Sequence, residues 1–230
     1  MLASRQLTAS VMHQREMSDW ESIQKQIQAC RRCEENRVRY VCVPSGEKRR
    51  PPWEPVPPVR LYFVSAAPPR GGAYFWDKAA RDAVREGLFR ALRKPLDTDV
   101  TTCRQFRDLR LFLTPAVKCP SASANKDHAP SRYAVRNCAG FLRAELTAAK
   151  PERILALGAV PFRSLCDMFH IHAPMQVAEF RGQVWWVRLG RIEVPLAGTY
   201  FTGNNRNKGF DKIVEDIQRL LQMEPRMRDA

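Results

Sequence analysis

Nothing in this sequence approaches the roughly 20 consecutive apolar residues that a membrane-crossing helix requires. The opening residues carry Arg5, His13 and Arg15 where an export signal would need an apolar core. Internal repeats and low-complexity tracts are absent, and histidine is scarce, with four copies. Acidic residues are in deficit, 24 Asp and Glu against 38 Lys and Arg. These absences point to a soluble, cytoplasmic chain, expected to be a monomer and to make no membrane contact. Without an export signal, the seven cysteines, an odd number, are better explained by metal ligation and buried thiols than by disulfides.

What is present starts with charge. A formal net charge of +14 must be neutralised by a polyanion or left to solvent, and nucleic acid is the usual polyanion. Charge of this kind carries no base specificity. The 230 residues, 44% of them hydrophobic, suffice for one ordinary core. The expected layout is a tail over residues 1–16, a folded domain over 17–223 and a short tail over 224–230.

Ser18-Asp19-Trp20-Glu21 reads as a capping box that starts a helix running to about Cys30 or Cys33. Six prolines between Val43 and Pro58 forbid regular structure there. Val59–Val64 is a β-rich apolar run, and the turn Ser65–Gly72 cannot continue it. Helical spacing covers Asp77–Arg93. A strand at Leu109–Val117, a helix at Ser131–Lys150, a strand at Ile154–Leu157 and a helix at Val160–Phe169 come next. Strands at Gln183–Val187 and Ile192–Leu196 and an amphipathic helix at Lys208–Met223 close the pattern. Alternation of this kind predicts an α/β fold, a three-layer α/β/α sandwich around a mostly parallel sheet, with its ligand site beyond the carboxyl ends of the strands.

Cys30-Arg31-Arg32-Cys33 is a two-ligand clip, since two intervening residues let both thiolates turn toward one ion. Cys119 follows a strand in Val117-Lys118-Cys119-Pro120, and Cys138 lies 19 residues beyond it in a helix. Spacing alone leaves zinc, an iron-sulfur cluster and no metal open. Cys42, Cys103 and Cys166 have neighbours that suggest packing.

The order C-x-x-C, V-K-C-P and a proline eight residues before a cysteine (Pro130, Cys138) resembles the iron-sulfur branch of the uracil-DNA glycosylase superfamily, similar to its families four and five. The likeness continues through Phe141-Leu142, Lys150-Pro151, Ile154–Gly158 and Arg181-Gly182. It implies a [4Fe-4S] cluster on Cys30, Cys33, Cys119 and Cys138, DNA as the partner and removal of a deaminated or damaged base in repair. A relative that binds DNA without catalysis is the other function the resemblance allows.

The active-site motifs diverge. Where that family has a loop like G-E-A-P-G or G-L-A-P-A, this chain has Ser65-Ala66-Ala67-Pro68-Pro69, so the acidic position is Ala66 and Ala67 lies beside the base. Tyr74-Phe75-Trp76-Asp77 resembles the segment whose ring stacks on the extruded base, which nominates Phe75 or Tyr74. Asp77 is the nearest carboxylate, either facing the sugar or capping a helix. Pro115 stands at the base-reading asparagine position and has no side-chain donor. In place of the H-P-S motif stands a run ending in Asn204-Asn205-Arg206-Asn207, with Tyr200 or Phe201 at the histidine position. Tyr200 or Asn205 is left to hydrogen-bond the leaving base, while Asn204, Arg206 and Asn207 are expected to meet DNA. None of His128, His170 and His172 replaces the missing histidine.

Overall fold

The computed structural model describes residues 19–33, 53–69, 74–77, 81–120, 122–123, 126–127, 129–203 and 209–227. Ser18, Cys42, His128 and the 204–207 run therefore lie outside the described residues.

Residues 19–29 are helical (α1). The chain then enters β1 (Leu61–Ser65), α2 (Ala83–Leu96), α3 (Cys103–Asp108) and β2 (Leu111–Pro115). A small ribbon of β3 (Ala122–Ser123) and β4 (Lys126–Asp127) precedes α4 (Arg132–Ala149). The remainder is β5 (Ile154–Leu157), α5 (Ala159–Phe169), α6 (Val177–Phe180), β6 (Val184–Leu189), β7 (Ile192–Thr199), α7 (Phe210–Leu221) and β8 (Arg226–Met227).

The main sheet has the order β2-β1-β5-β7-β6, and β8 also pairs with β7. β2, β1, β5 and β7 are mutually parallel, while β6 and β8 lie antiparallel to β7. Every residue of β1, β2 and β5 is buried, so both faces of the central strands are covered. That is why these strands read as mostly apolar runs instead of alternating ones. The helices pack in pairs, α2 with α7 and α4 with α5, and the sheet is the middle of three layers.

Side chains set most boundaries. Ser131 caps α4 by accepting the Ala134 amide at 3.1 Å, and Lys150 ends it in a left-handed conformation with φ of 47°. Asp82, not Asp77, caps α2, so that helix begins later than the spacing suggested. α3 is an addition to the expected pattern: Thr102 and Gln105 form a capping box inside a stretch without helical periodicity. Arg226–Met227 pair with Ile192–Glu193, so part of the expected C-terminal tail belongs to the sheet.

The core is aromatic on the β2 side. Phe75 meets Trp76, Phe89 and Phe106 with ring centres 5.0, 5.9 and 5.1 Å apart. All three contacts are edge-to-face, the arrangement in which ring quadrupoles attract. Trp76 satisfies its indole N–H on the Leu113 carbonyl at 3.0 Å.

Candidate active site

β1 is followed in sequence by the crossover to β2 on one side, whereas β5 joins β1 on the other. Between strands whose connections diverge in this way, the loops leave a crevice at the carboxyl ends. A cleft of about 610 Å³ lies there, walled by the β1 loop (Ser65 to Pro69), the start of α2 and the β5–α5 turn, with Phe201 at its mouth. Its volume suits a nucleoside-sized ligand.

Backbone bonds hold the walls. Ala116 N donates to Ser65 O at 2.7 Å and Val117 N to Ala66 O at 3.0 Å, which ties the β1 loop to the segment after β2. Gly158 adopts φ of 101°, a conformation natural to glycine, and its N–H reaches Thr199 O at 2.9 Å. Gly158 begins α5 without a side-chain cap at the cleft wall, whereas the N-terminal turn of α2, on the same wall, is capped by Asp82. Helix N-termini carry partial positive charge and favour anions.

Asp82 is the carboxylate of the cleft wall. It is buried, and one carboxylate oxygen accepts the Arg85 amide at 2.7 Å. Burial raises its pKa above the ordinary carboxylate value, partly countered by the Arg85 amide and the Arg85 charge. Arg85 also donates to the carbonyls of Phe75 at 2.9 Å and Asp77 at 2.5 Å, fixing the 75–77 turn under α2.

Phe201 is 43% exposed. Its loop is seated by Gly87, where a Cβ would come within 2.0 Å of the Thr202 carbonyl oxygen, so only glycine lets the loop lie on α2. At the end of β7, Thr199 donates its hydroxyl to Asp216 at 2.7 Å, and Arg181 pairs with the same carboxylate at 3.2 Å. Burial raises the Asp216 pKa against the opposing pull of Thr199, Arg181 and Arg219.

Of the residues expected at the site, Ala67 lines the cleft. Tyr74 and Phe75 are buried and absent from its walls: Phe75 belongs to the aromatic core, and Phe201 is the aromatic residue the cleft presents instead. Asp77 is half-buried and also absent from the walls, where Asp82 stands. Tyr200 is half-buried against Gly209 and the core. Asn204, Asn205, Arg206 and Asn207 lie outside the described residues.

Two cysteines from distant segments meet. Cys138 on α4 is buried with Val117 and Ala134, and Cys33 and Ala67 pack against that cluster. The Asn137 amide donates to Cys33 Sγ at 3.5 Å. Cys119 is 7% exposed. Burial pushes the Cys138 thiol up to about 12, and the Cys119 and Cys33 sulfurs add to that rise while Lys118 opposes it. Behind them Lys118 and Glu145 form a buried ion pair, and Gln24 of α1 donates to Glu145 at 3.1 Å. Among the described residues, no three His, Cys, Asp or Glu side chains close on a common point as metal ligands do. Cys103 donates its thiol to Phe75 O at 3.3 Å, and burial pushes the Cys166 thiol up to about 11, both consistent with packing.

A cleft at the switch point of a parallel sheet, entered between two helix N-termini, defines an α/β protein whose candidate site lies at the carboxyl ends of its strands. The Uracil DNA glycosylase superfamily matches residues 52–218, and the chain belongs to that superfamily. Over 152 residues it is 30% identical to the Type-5 uracil-DNA glycosylase of Pyrobaculum aerophilum, covering 59% of this chain and 64% of that protein. Over 90 residues it is 28% identical to the Type-4 uracil-DNA glycosylase of the same organism, covering 39% of this chain and 44% of that one. The chain thus matches under two thirds of the length of either relative. Among the described residues no helix is long and apolar enough to cross a membrane.

Proposed function

We propose that the protein is a DNA glycosylase that hydrolyses the N-glycosidic bond of a deaminated or damaged base, and that the cleft receives the extruded nucleotide. The observation that carries this is a buried carboxylate and an exposed aromatic ring facing one nucleoside-sized cleft in a member of the superfamily.

Phe201 stacks on the base, since every base offers a π face. The first turn of α5, which has no side-chain cap, faces the negative charge that grows on the base as the C1′–N bond breaks and its electron pair moves to nitrogen. Preorganised dipoles aimed at developing charge usually contribute the largest catalytic term. Asp82 stabilises positive charge on the sugar and orients the water that adds to C1′, whose proton then leaves to solvent or to the carboxylate. A carboxyl with a pKa raised by burial is suited to holding that proton.

The four cysteines fit a [4Fe-4S] cluster by the chemistry of the donor set: thiolates are its usual ligands, Cys33 packs against the apolar cluster that holds Cys138, and the Cys119 sulfur is near enough to raise the Cys138 pKa. Cys30, Cys33, Cys119 and Cys138 would hold it, and its contribution would be to clamp the end of α1 to α4 beside the cleft loop. Asn204, Arg206 and Asn207 are proposed to meet the DNA strand.

Ala66 and Pro115, where the family's acidic and base-reading side chains would stand, favour a second reading as a DNA-binding relative without catalysis. A strand-cleavage assay over oligonucleotides bearing uracil, hypoxanthine and other deaminated bases separates the two. Excision of at least one, preferentially from single-stranded or mismatched DNA where flipping costs least, is expected. DNA binding with every lesion left intact would replace the enzyme with the binding protein.

A further inference from the structure

Next to the cleft, and sharing Pro130 and Val160 with it, a second cavity of about 390 Å³ opens between α4 and α5. Arg132 and Arg136 come from α4, four residues apart and so on one helix face, while α5 contributes Arg163 and Ser164. Among the described residues, no carboxylate forms an ion pair with any of these three arginines. Asp167 lines the same cavity, exposed and outside pairing distance. Arg163 Nε donates to Met175 Sδ at 3.2 Å.

Ser164 supplies the second, independent sign. It is 2% exposed, lines the cavity, and its hydroxyl has no hydrogen-bond partner among the described residues. Buried hydroxyls are nearly always satisfied, and one that is not, at the wall of an arginine-lined cavity, suits a ligand that brings acceptor oxygens. Guanidinium groups recognise phosphate through paired N–H donors, whereas an apolar ligand would leave Ser164 and the arginines unmatched.

We infer that this cavity is a phosphodiester subsite, taking a backbone phosphate of the DNA strand whose nucleotide enters the adjoining cleft. It rests on the glycosylase function proposed above for the choice of strand. Arg132 and Arg136 grip the phosphate, Arg163 faces it from α5, and Ser164 donates its hydroxyl to one of the oxygens. A strand held there fixes which nucleotide stands over Asp82, because the two cavities share a wall. The position belongs to strand positioning and not to base choice, since phosphates carry no sequence information.

The test uses the full chain and a fluorescent single-stranded oligonucleotide with a central uracil, its affinity followed by anisotropy across a salt series. Each of Arg132→Ala and Arg136→Ala should lower the slope of log affinity against log salt by about 0.7 units. Arg132→Lys and Arg136→Lys should restore it, because the charge is kept. Ser164→Ala should weaken binding several-fold at an unchanged slope, as expected for a lost hydrogen bond to a charged oxygen. Inorganic phosphate, used as a second probe, should displace the oligonucleotide only weakly. Tight inorganic phosphate binding that the arginine variants abolish, with DNA affinity untouched, would reassign the cavity to a small free anion and overturn the inference. If the parent binds and excises while an Arg132→Ala/Arg136→Ala double variant keeps the parent's salt slope, this inference alone fails. A parent that binds no DNA at any salt defeats the proposed function as well.

Discussion

Asp82 serves two roles with one carboxylate: it caps α2 through the Arg85 amide and it faces the cleft. Burial raises its folded pKa above the unfolded value near 3.8, with Arg85 opposing the rise and Glu86 adding to it. For a carboxyl shifted upward, the contribution to stability is present below the unfolded pKa and is lost as pH rises through the folded one. Asp82→Asn keeps an equally good cap and should flatten that decline, read by urea unfolding as pH rises above about 4. Asp216, raised by burial as well, contributes a decline of the same sign, so the substitution removes part of the slope. If stability in the Asp82→Asn variant falls with pH as steeply as in the parent, Asp82 is not the source of the decline. At the other wall, Phe201→Ala should weaken binding of an oligonucleotide with an unpaired target base by about 1–3 kcal/mol, measured by anisotropy. Because Phe201 is 43% exposed, the thermal midpoint of that variant should change little. Asp82 did not stand out in the sequence, and Phe201 did so only as one of two residues at the missing histidine's position. Asp82 looked like any polar residue inside a helical stretch, and an exposed ring after a strand is recognisable only once Gly87 and Thr202 place its loop on α2. Phe75, by contrast, matched the family's segment by residue type, but its ring fills the core between Phe89 and Phe106.

Among the elements, α1, α4 and the segment after β2 are locked by one buried polar group: Gln24, Glu145 and Lys118, the last donating also to the Pro115 carbonyl. Burial, together with the negative Glu145, holds the nearby Tyr62 phenol well above its usual pKa. Removing one partner of such a pair leaves a charge without compensation in the interior. Glu145→Ala should therefore cost about 3–5 kcal/mol in chemical denaturation, while Lys118→Met with Glu145→Leu should cost far less. A single variant as stable as the double would show that the pair contributes little. Elements of this size were the most legible part of the fold. Val59–Val64 and Ile154–Leu157 announced buried strands through short runs that are mostly apolar, and Ser131 marked the start of α4. The errors occur where hydrogen bonding, not periodicity, sets the structure. Thr102-x-x-Gln105 makes α3 over six residues, too short to show a helical stripe. Arg226–Met227 is exposed and joins the sheet only through backbone pairing with β7.

Across the whole molecule, the parallel sheet opens its carboxyl ends between two helix N-termini, and a net charge of +14 gives the chain a field that attracts polyanions. Superfamily membership agrees with the family resemblance read from the motif order, whose Ile154–Gly158 segment lies within the matched residues. The replacement of the active-site motifs was equally legible, but not what takes over their work, because the cleft is assembled from the ends of β1, β5 and β7 with the start of α2. The cysteine site beside the cleft predicts iron and acid-labile sulfide in protein purified without oxygen. Cys138→Ser should lower both, together with soluble yield, since a group bound only by the folded chain stabilises it; stoichiometric zinc without iron would contradict the cluster. Catalysis at Asp82 is checked by single-turnover base release, with parent and Asp82→Asn compared on the lesion the parent excises best and DNA affinity measured beside the rate. A carboxylate that orients the water and holds its proton predicts a rate about 10²- to 10⁴-fold lower in the variant at nearly unchanged affinity. Release at the parent's rate by Asp82→Asn would remove Asp82 from the chemistry, and a parent that binds DNA but releases no base would contradict the enzyme itself.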